Sequence, residues 1–409
     1  MPEVVITRLG AQGDGVAETA EGPVHIAGTL PGERVEAEIA GTRGRLGRIV
    51  SASAERILPA CRHFGSCGGC KLQHMAPPAY LAFKRAVVAR ALAQRGIDVE
   101  PQPVIAIPPA SRRRVTLSAR RTRKSVVLGF HGLSSAEIVP VEHCPIAVPR
   151  IDEALEGLRA LVAPLLTRKG EARLTVTAAT SGLDVEIVGA GSELSADRRQ
   201  EASEAAALLG AVRVTLGGEP LYQAGEAAVS IAGAAVPLPP GAFLQATAQS
   251  EAAITGIVLV GVAGARRVAD LYAGIGTFTL ALARGSEVTA VEGDRAPLAA
   301  LKVAAGRAKG LKPVATLRRD LEREPLAGGE LGAFDAVVLD PPFAGARRQA
   351  EALAGSRIGR IVMVSCNPAT LARDLQILIE GGYRLQRVVP VDQFLWSAHV
   401  EVVAHLARG

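Results

Sequence analysis

The chain has 409 residues, 48% hydrophobic, 21% charged and 3% aromatic, with a formal net charge of +6. That is an ordinary globular composition, long enough for two or three domains and a substantial core. No run of ~18 uninterrupted apolar residues is present, which excludes a membrane-spanning helix. The scarcity of aromatics argues against extensive base stacking on a sheet face, while the mild positive charge permits an acidic partner such as nucleic acid without requiring one. Arg8, Asp14 and Glu18 among turn-forming glycines are unlike a secretory signal, so a cytoplasmic protein is expected.

Residues 1–54 read as short apolar segments, Val4–Ile6, Val24–Ile26, Arg34–Glu38 and Arg48–Val50, separated by the Gly-rich turns 10–15 (GAQGDG) and 30–33 (LPGE). Short strands punctuated by glycine predict a small β-barrel. Its arginines are balanced by acids, so a plain accessory barrel and an RNA-binding one are equally consistent with it.

Five cysteines follow: Cys61, Cys67, Cys70, Cys144 and Cys366. Without an export signal, metal binding or catalysis is a better first expectation than disulfides. Cys61-x5-Cys67-Gly-Gly-Cys70 is a tight triplet, its glycines permitting a turn that converges thiolates on one centre. Cys144, followed by proline, can supply a fourth ligand. Four thiolates suit zinc or an iron–sulfur cluster, and the single Cys-x2-Cys knuckle with uneven spacing favours the cluster.

A helix is expected near residues 80–95, with apolar residues at helical spacing. Residues 111–124 carry seven basic positions and no acidic one, reading either as a phosphate-contacting strand or as a solvated hairpin. Residues 125–240 mix β-like runs (Val126–Phe130, Leu174–Ala178, Asp184–Val188, Val212–Leu216) with helical ones (Ile151–Leu166, Ala196–Leu209), an α+β pattern closed by the Pro/Gly stretch 237–241.

From Arg266 the pattern becomes repeating β–α. Strand Arg267–Tyr272 runs into Ala273-Gly274-Ile275-Gly276-Thr277, and Glu287–Val291 ends at Glu292, 18 residues after Gly274. Glycines where the backbone approaches a cofactor, and an acid at the next strand tip to hold a ribose, indicate a nucleotide-like ligand. Thr279 stands where a dinucleotide fingerprint needs its third glycine, which favours S-adenosylmethionine over NAD. Val314–Leu317 leads to Asp320, and Phe334–Leu339 ends in Asp340-Pro341-Pro342-Phe343. The apolar run Ile361–Val364 stops at Ser365-Cys366-Asn367-Pro368, where proline suits a helix start. Cys366 is therefore placed at a strand's carboxyl end before a helix, where the anionic thiol is favoured; the alternative is a small buried apolar residue. Tyr383–Val391 and Val400–Leu406 follow without an intervening helix. If the last strand lies beside that of Cys366, Glu401 reaches the same rim; otherwise it is a surface charge.

The motifs DLYAGIGTFTL (270–280), DPP (340–342), SCNPATLARDL (365–375) and HVE (399–401) resemble those of the RNA 5-methyluridine methyltransferases. The run 61–70 with Cys144, and a TRAM-like (OB-like) N-terminal barrel, resemble the ribosomal-RNA branch. The resemblance implies three units: a TRAM-like β-barrel over 1–54, a central α+β domain with a [4Fe-4S] cluster over 55–240, and a Rossmann-like class I methyltransferase domain over 241–409. It implies Cys366 as nucleophile, Glu401 as base, and Gln245, Tyr272, Thr277, Glu292, Asp320 and Asp340 as S-adenosylmethionine contacts, with Cys61, Cys67, Cys70 and Cys144 holding the cluster. The implied activity is methylation of uridine C5 in RNA, 23S rRNA foremost, by a monomer with no membrane partner. A non-catalytic RNA-binding assembly factor and a tRNA-directed enzyme are the alternatives. Phe343, where family members often carry Arg, and Thr277, in place of a common Asn, depart from the pattern.

Overall fold

The computed structural model describes residues 1–409 except 124, 134, 168, 169, 192 and 193. Strict alternation of buried and exposed residues builds the first sheet: in Arg34–Ala40, Val35 and Ala37 turn inward and Arg34 and Glu38 outward. Its six strands run in the order Glu3–Val5, Arg34–Ala40, Arg43–Ser51, Gly22–Ile26, Gly15–Thr19, Arg8–Leu9. The strand Gly15–Thr19 escapes hydrophobic patterning because its apolar residues are small, although Val16 and Ala17 are fully buried.

The central sheet has seven strands, ordered Glu219–Gln223, Ala211–Leu216, Gly182–Val188, Glu171–Ala179, Arg114–Arg121, Val126–His131, Ile138–Pro140. The helical run at 151–166 is broken into Pro149–Asp152, Leu155–Val162 and a 3-10 turn over Ala163–Leu165. Pro164 explains the last break, since it lacks the amide hydrogen an α-helix interior requires.

The third sheet positions the chemistry. Its strands are β1 (Arg267–Leu271), β2 (Glu287–Glu292), β3 (Val314–Arg318), β4 (Ala336–Leu339), β5 (Arg360–Ser365), β6 (Tyr383–Val391) and β7 (Glu401–Arg408), in the order β3-β2-β1-β4-β5-β7-β6. β1 to β5 are parallel; β7 inserts antiparallel between β5 and β6. The residues Ala336–Leu339 are all buried, as strands covered on both faces require.

Helix α1 (Pro77–Ala93) begins with two prolines, whose missing amide hydrogens are unneeded there. Its Val88 and Leu92 lie in one core with Leu339 and Met363 of the third sheet and with Leu371 and Leu375 of α4 (Pro368–Glu380). Helices α2 (Ala248–Gly261) and α3 (Arg295–Arg307) precede it in sequence. The hairpin Ala228–Ile231/Ala234–Pro237 packs Ile231 and Val236 with Leu298 and Leu301 of α3. Among the described residues no helix is long and apolar enough to cross a membrane.

Candidate active site

The strand tips β1, β2, β4, β5 and the start of β7 converge on one rim, the carboxyl edge where open parallel sheets bind ligands. Ser365 is paired with Val402 in the antiparallel β5–β7 ladder, so the next residue on each strand, Cys366 and Glu401, emerges at the same edge. Glu401 is buried at 3% exposure. Burial and the nearby Asp340 push its carboxyl well above the usual range, partly offset by a hydrogen bond from Gln393. Asp340 is raised by burial and by Asp270, and lowered by Gln245.

The nucleophile expectation needs one correction. A helix N-terminus alone favours the thiolate, but burial, and then Glu401 and Asp340, push Cys366 up to about 11. Burial of the sulfur, with two carboxyl groups close by, outweighs a partial helix charge. Cys366 lines a cavity of about 200 Å³ with Asn367 and Phe343 on one side and Val87, Arg90 and Gln12 on the other. Phe343 is 60% exposed, and its carbonyl accepts from Asn367 Nδ2 (3.1 Å) and Thr370 Oγ1 (3.3 Å), which fixes the loop.

Residues expected at the cofactor edge gather around β1 and its neighbours. Gly276 has φ +97°, and a Cβ there would stand 2.3 Å from Leu301 Cδ1, so only glycine fits the turn. Tyr272 adopts φ +62°, rare for an aromatic residue and a form of backbone strain typical of ligand sites. Glu292 accepts from the amides of Gly274 (2.9 Å) and Asp294 (2.8 Å). Gln245 is buried and donates from Nε2 to Asp340 Oδ2 at 3.0 Å. Thr277 is half-buried within the Gly-rich turn. Asp320 is exposed and pairs with Arg323 at 3.2 Å, so it joins the rim only from the side of β3.

Sequence reasoning missed several groups here. Asp270, at 0% exposure, accepts from Thr279, and its Oδ1 has no partner among the described residues. Lys84, also at 0% exposure, donates to Asp392, to Phe394 O (2.9 Å) and to His399 O (2.7 Å), pinning α1 to the segment before Glu401. Helical apolar spacing gives no hint of a lysine turned inward. The basic run is neither free strand nor solvated hairpin at its start. Arg113 is buried, donating to Glu251 and to Gln245 O (3.1 Å); Arg114 reaches Gly241 O (3.2 Å). Arg120 pairs with Glu171 (2.7 Å). Arg113 and Arg114 thus join the central sheet to the catalytic region, while Arg120 stays within the central sheet. Lys124 lies outside the described residues.

Cys61, Cys67, Cys70 and Cys144 all line one cavity of about 480 Å³. Gly69 N donates to Cys67 Sγ at 3.4 Å. Burial, and then neighbouring thiols, push Cys70 up to about 12. Among the described residues no three His, Cys, Asp or Glu side chains are drawn into metal-ligating spacing.

A doubly wound sheet with an inserted antiparallel β7 and a Gly-rich first turn defines a Rossmann-like methyltransferase. A family model described as tRNA (Uracil-5-)-methyltransferase matches residues 239–409. An uncharacterized RNA methyltransferase of Brucella suis biovar 1 is 46% identical, covering 100% of this chain and 98% of its own length. The 23S rRNA (uracil(1939)-C(5))-methyltransferase RlmD of Edwardsiella ictaluri is 34% identical over 98% of this chain and 94% of its own. The fold resembles that of the Pyrococcus abyssi tRNA (uracil-54, C5)-methyltransferase solved with S-adenosyl-L-homocysteine, at a TM-score of 0.77 and 22% identity, covering 99% and 100% of the two chains. The chain belongs to the RNA (uracil-5-)-methyltransferase family, and it is an enzyme of that class.

Proposed function

We propose that this enzyme transfers a methyl group from S-adenosylmethionine to C5 of a uridine in 23S rRNA, through a covalent bond between Cys366 and uracil C6. The observation that carries this is the antiparallel β5–β7 register, which delivers a thiol and a buried carboxyl to one edge. Uracil C5 is too weak a nucleophile to attack a sulfonium methyl directly. The Cys366 thiolate adds to C6, the C5=C6 electrons move into a C4–C5 enolate, and C5 takes the methyl. Glu401 then removes the C5 proton; the C5–H electrons rebuild C5=C6 and the C6–S bond breaks, returning the thiolate. The target base is extruded from its stack into the cavity beside Cys366.

The methyl donor supplies a positively charged electrophile when bound. Gln245, Tyr272, Thr277, Glu292, Asp320 and Asp340 are the residues that would hold it. The unpartnered Asp270 Oδ1 and the turn only glycine can make both suit a bound ligand. A cation near Asp340 would also lower the Cys366 thiol toward neutrality by cancelling a repelling carboxylate.

We assign Cys61, Cys67, Cys70 and Cys144 to a [4Fe-4S] cluster. Their soft donors, common cavity and amide-to-sulfur contact fit such a group. It would supply local structure, since methyl transfer consumes no electrons. Anaerobically purified protein is expected to absorb near ~400 nm and to carry about four irons per chain; zinc without iron overturns this. For the activity, mapping 5-methyluridine in 23S rRNA with and without this protein is decisive. An unchanged map overturns the ribosomal assignment, and a mark appearing in tRNA instead redirects it.

A further inference from the structure

A carboxamide that the proposed chemistry does not use lies between the base and the cofactor edge. Gln393 is 3% exposed and its side chain makes four hydrogen bonds. Its Oε1 accepts from Ala246 N (3.2 Å) and Ser250 Oγ (2.6 Å). Its Nε2 donates to Gln245 Oε1 (2.7 Å) and to Glu401 Oε2 (2.8 Å). One of those partners decides the amide's direction. The Ala246 amide can only donate, so the oxygen of Gln393 must face it and the nitrogen must face Glu401. The same logic passes on: Gln245 presents its oxygen to Gln393 and therefore its nitrogen to Asp340, at 3.0 Å. Two amides thus join two carboxylates in a fixed sense, Asp340 to Gln245 to Gln393 to Glu401.

We propose that Gln393 is a positioning residue for the proton-abstraction step: its side-chain amide aims the Glu401 carboxyl, and Gln245 ties that base to the strand tip carrying Asp340. This rests on the Cys366–Glu401 reading above. Gln393 engages Oε2 of Glu401, leaving Oε1 to accept the C5 proton while the C5–H pair returns to the ring and the C6–S bond breaks. A carboxylate with one oxygen held by an N–H donor keeps its direction, and the donor favours its charged form; without the donor it faces only groups that oppose its ionisation. Those facing groups are Asp340 just past β4 and the Cys366 thiol just past β5, with Asp270 on β1 acting on Asp340.

The test compares wild type with Gln393→Met, similar in volume but without a donor, and with Gln393→Glu, which still accepts from Ala246 N. Single-turnover methylation of a uridine-containing 23S fragment is followed from pH 5.5 to 9.5, with the covalent protein–RNA adduct read on denaturing gels. S-adenosylmethionine affinity is measured by calorimetry. In Gln393→Met the adduct is expected to form normally and decay at least tenfold more slowly. Its pH–decay midpoint moves upward while cofactor affinity stays within about twofold. In Gln393→Glu the defect deepens as pH rises and a third carboxylate ionises. A decay rate and pH profile in both variants equal to wild type overturn this inference alone. A wild-type enzyme that forms no adduct overturns the Cys366 chemistry and this inference with it.

Discussion

The two thiol neighbourhoods differ in what surrounds the sulfur. Burial raises Cys366 and Cys70 alike, to about 11 and about 12. Around Cys366 the next contributors are carboxylates, Glu401 and Asp340; around Cys70 a hydrogen bond with Gln73 partly offsets burial, and the charges that add to it are other thiols, Cys144, Cys67 and Cys61. A thiol among thiols becomes anionic when a shared soft cation offsets the repulsion. A thiol facing carboxylates becomes anionic when a positive charge cancels one of them, and the neighbouring carboxylate is then at hand as a base. On the reading proposed above, composition of the near shell, rather than burial, separates the cluster ligands from the nucleophile. The segment Phe394–His399 separates the two: Phe394, Leu395 and Ser397 line the cysteine cavity, while Ala398 and His399 line both.

The sharpest way to break this comparison is to remove the sulfur of Cys366. Cys366→Ala should reduce transfer of labelled methyl to RNA to background, and Glu401→Gln should trap a covalent RNA adduct. Full activity in Cys366→Ala would defeat the division into nucleophile and ligands. Next, Lys84 holds the separating segment from 0% exposure, so Lys84→Met should leave the Asp392 carboxyl buried without a counter-charge, held only by the Tyr80 hydroxyl, and cost about 3–5 kcal/mol. Denaturant unfolding measures it; a loss under ~1 kcal/mol means the strap is not under load.

A gentler probe is alkylation of Cys366 in the ligand-free enzyme. The rate should be slow at neutral pH and titrate near 11, and its midpoint should fall when S-adenosylmethionine, but not the uncharged S-adenosylhomocysteine, is added. An ordinary midpoint near 8.5 would show that neither burial nor the carboxyl groups raise the sulfur. The smallest effect concerns stability. Burial raises Asp270 to about 7, above its unfolded value of about 3.9, so the folded state binds the extra proton between those values. Stability is therefore full below about pH 4 on this account and falls as pH rises through 7. Asp270→Asn should flatten that slope, a change of roughly 2–3 kcal/mol between pH 5 and 8; an unchanged slope assigns the proton elsewhere.

The parallel strands were legible because each is an apolar run ended by a turn signal; Ile361–Val364 stopping at Pro368 is the plainest case, and the strand covers Arg360–Ser365. Cys366 and Glu401 stood out by position, one after a strand and one before another. Gln393 did not, because an amide has no periodicity and its role depends on Ala246 and Ser250, more than 140 residues away in sequence. The basic run misled for a related reason. Seven like charges read as surface, yet Arg113 turns inward to Glu251, a partner no local window contains.

Local order came from the sequence alone: the strand endings, the glycine turn at Gly274–Gly276, the clustered cysteines and the chemistry they permit. These depend on residue type and on neighbours a few positions off. Which charge meets which was settled only in three dimensions. The Cys366 thiol is high despite its helix, Arg113 is buried, and the amide directions follow one backbone N–H. Electrostatic energies depend on distance and dielectric, and folding sets both.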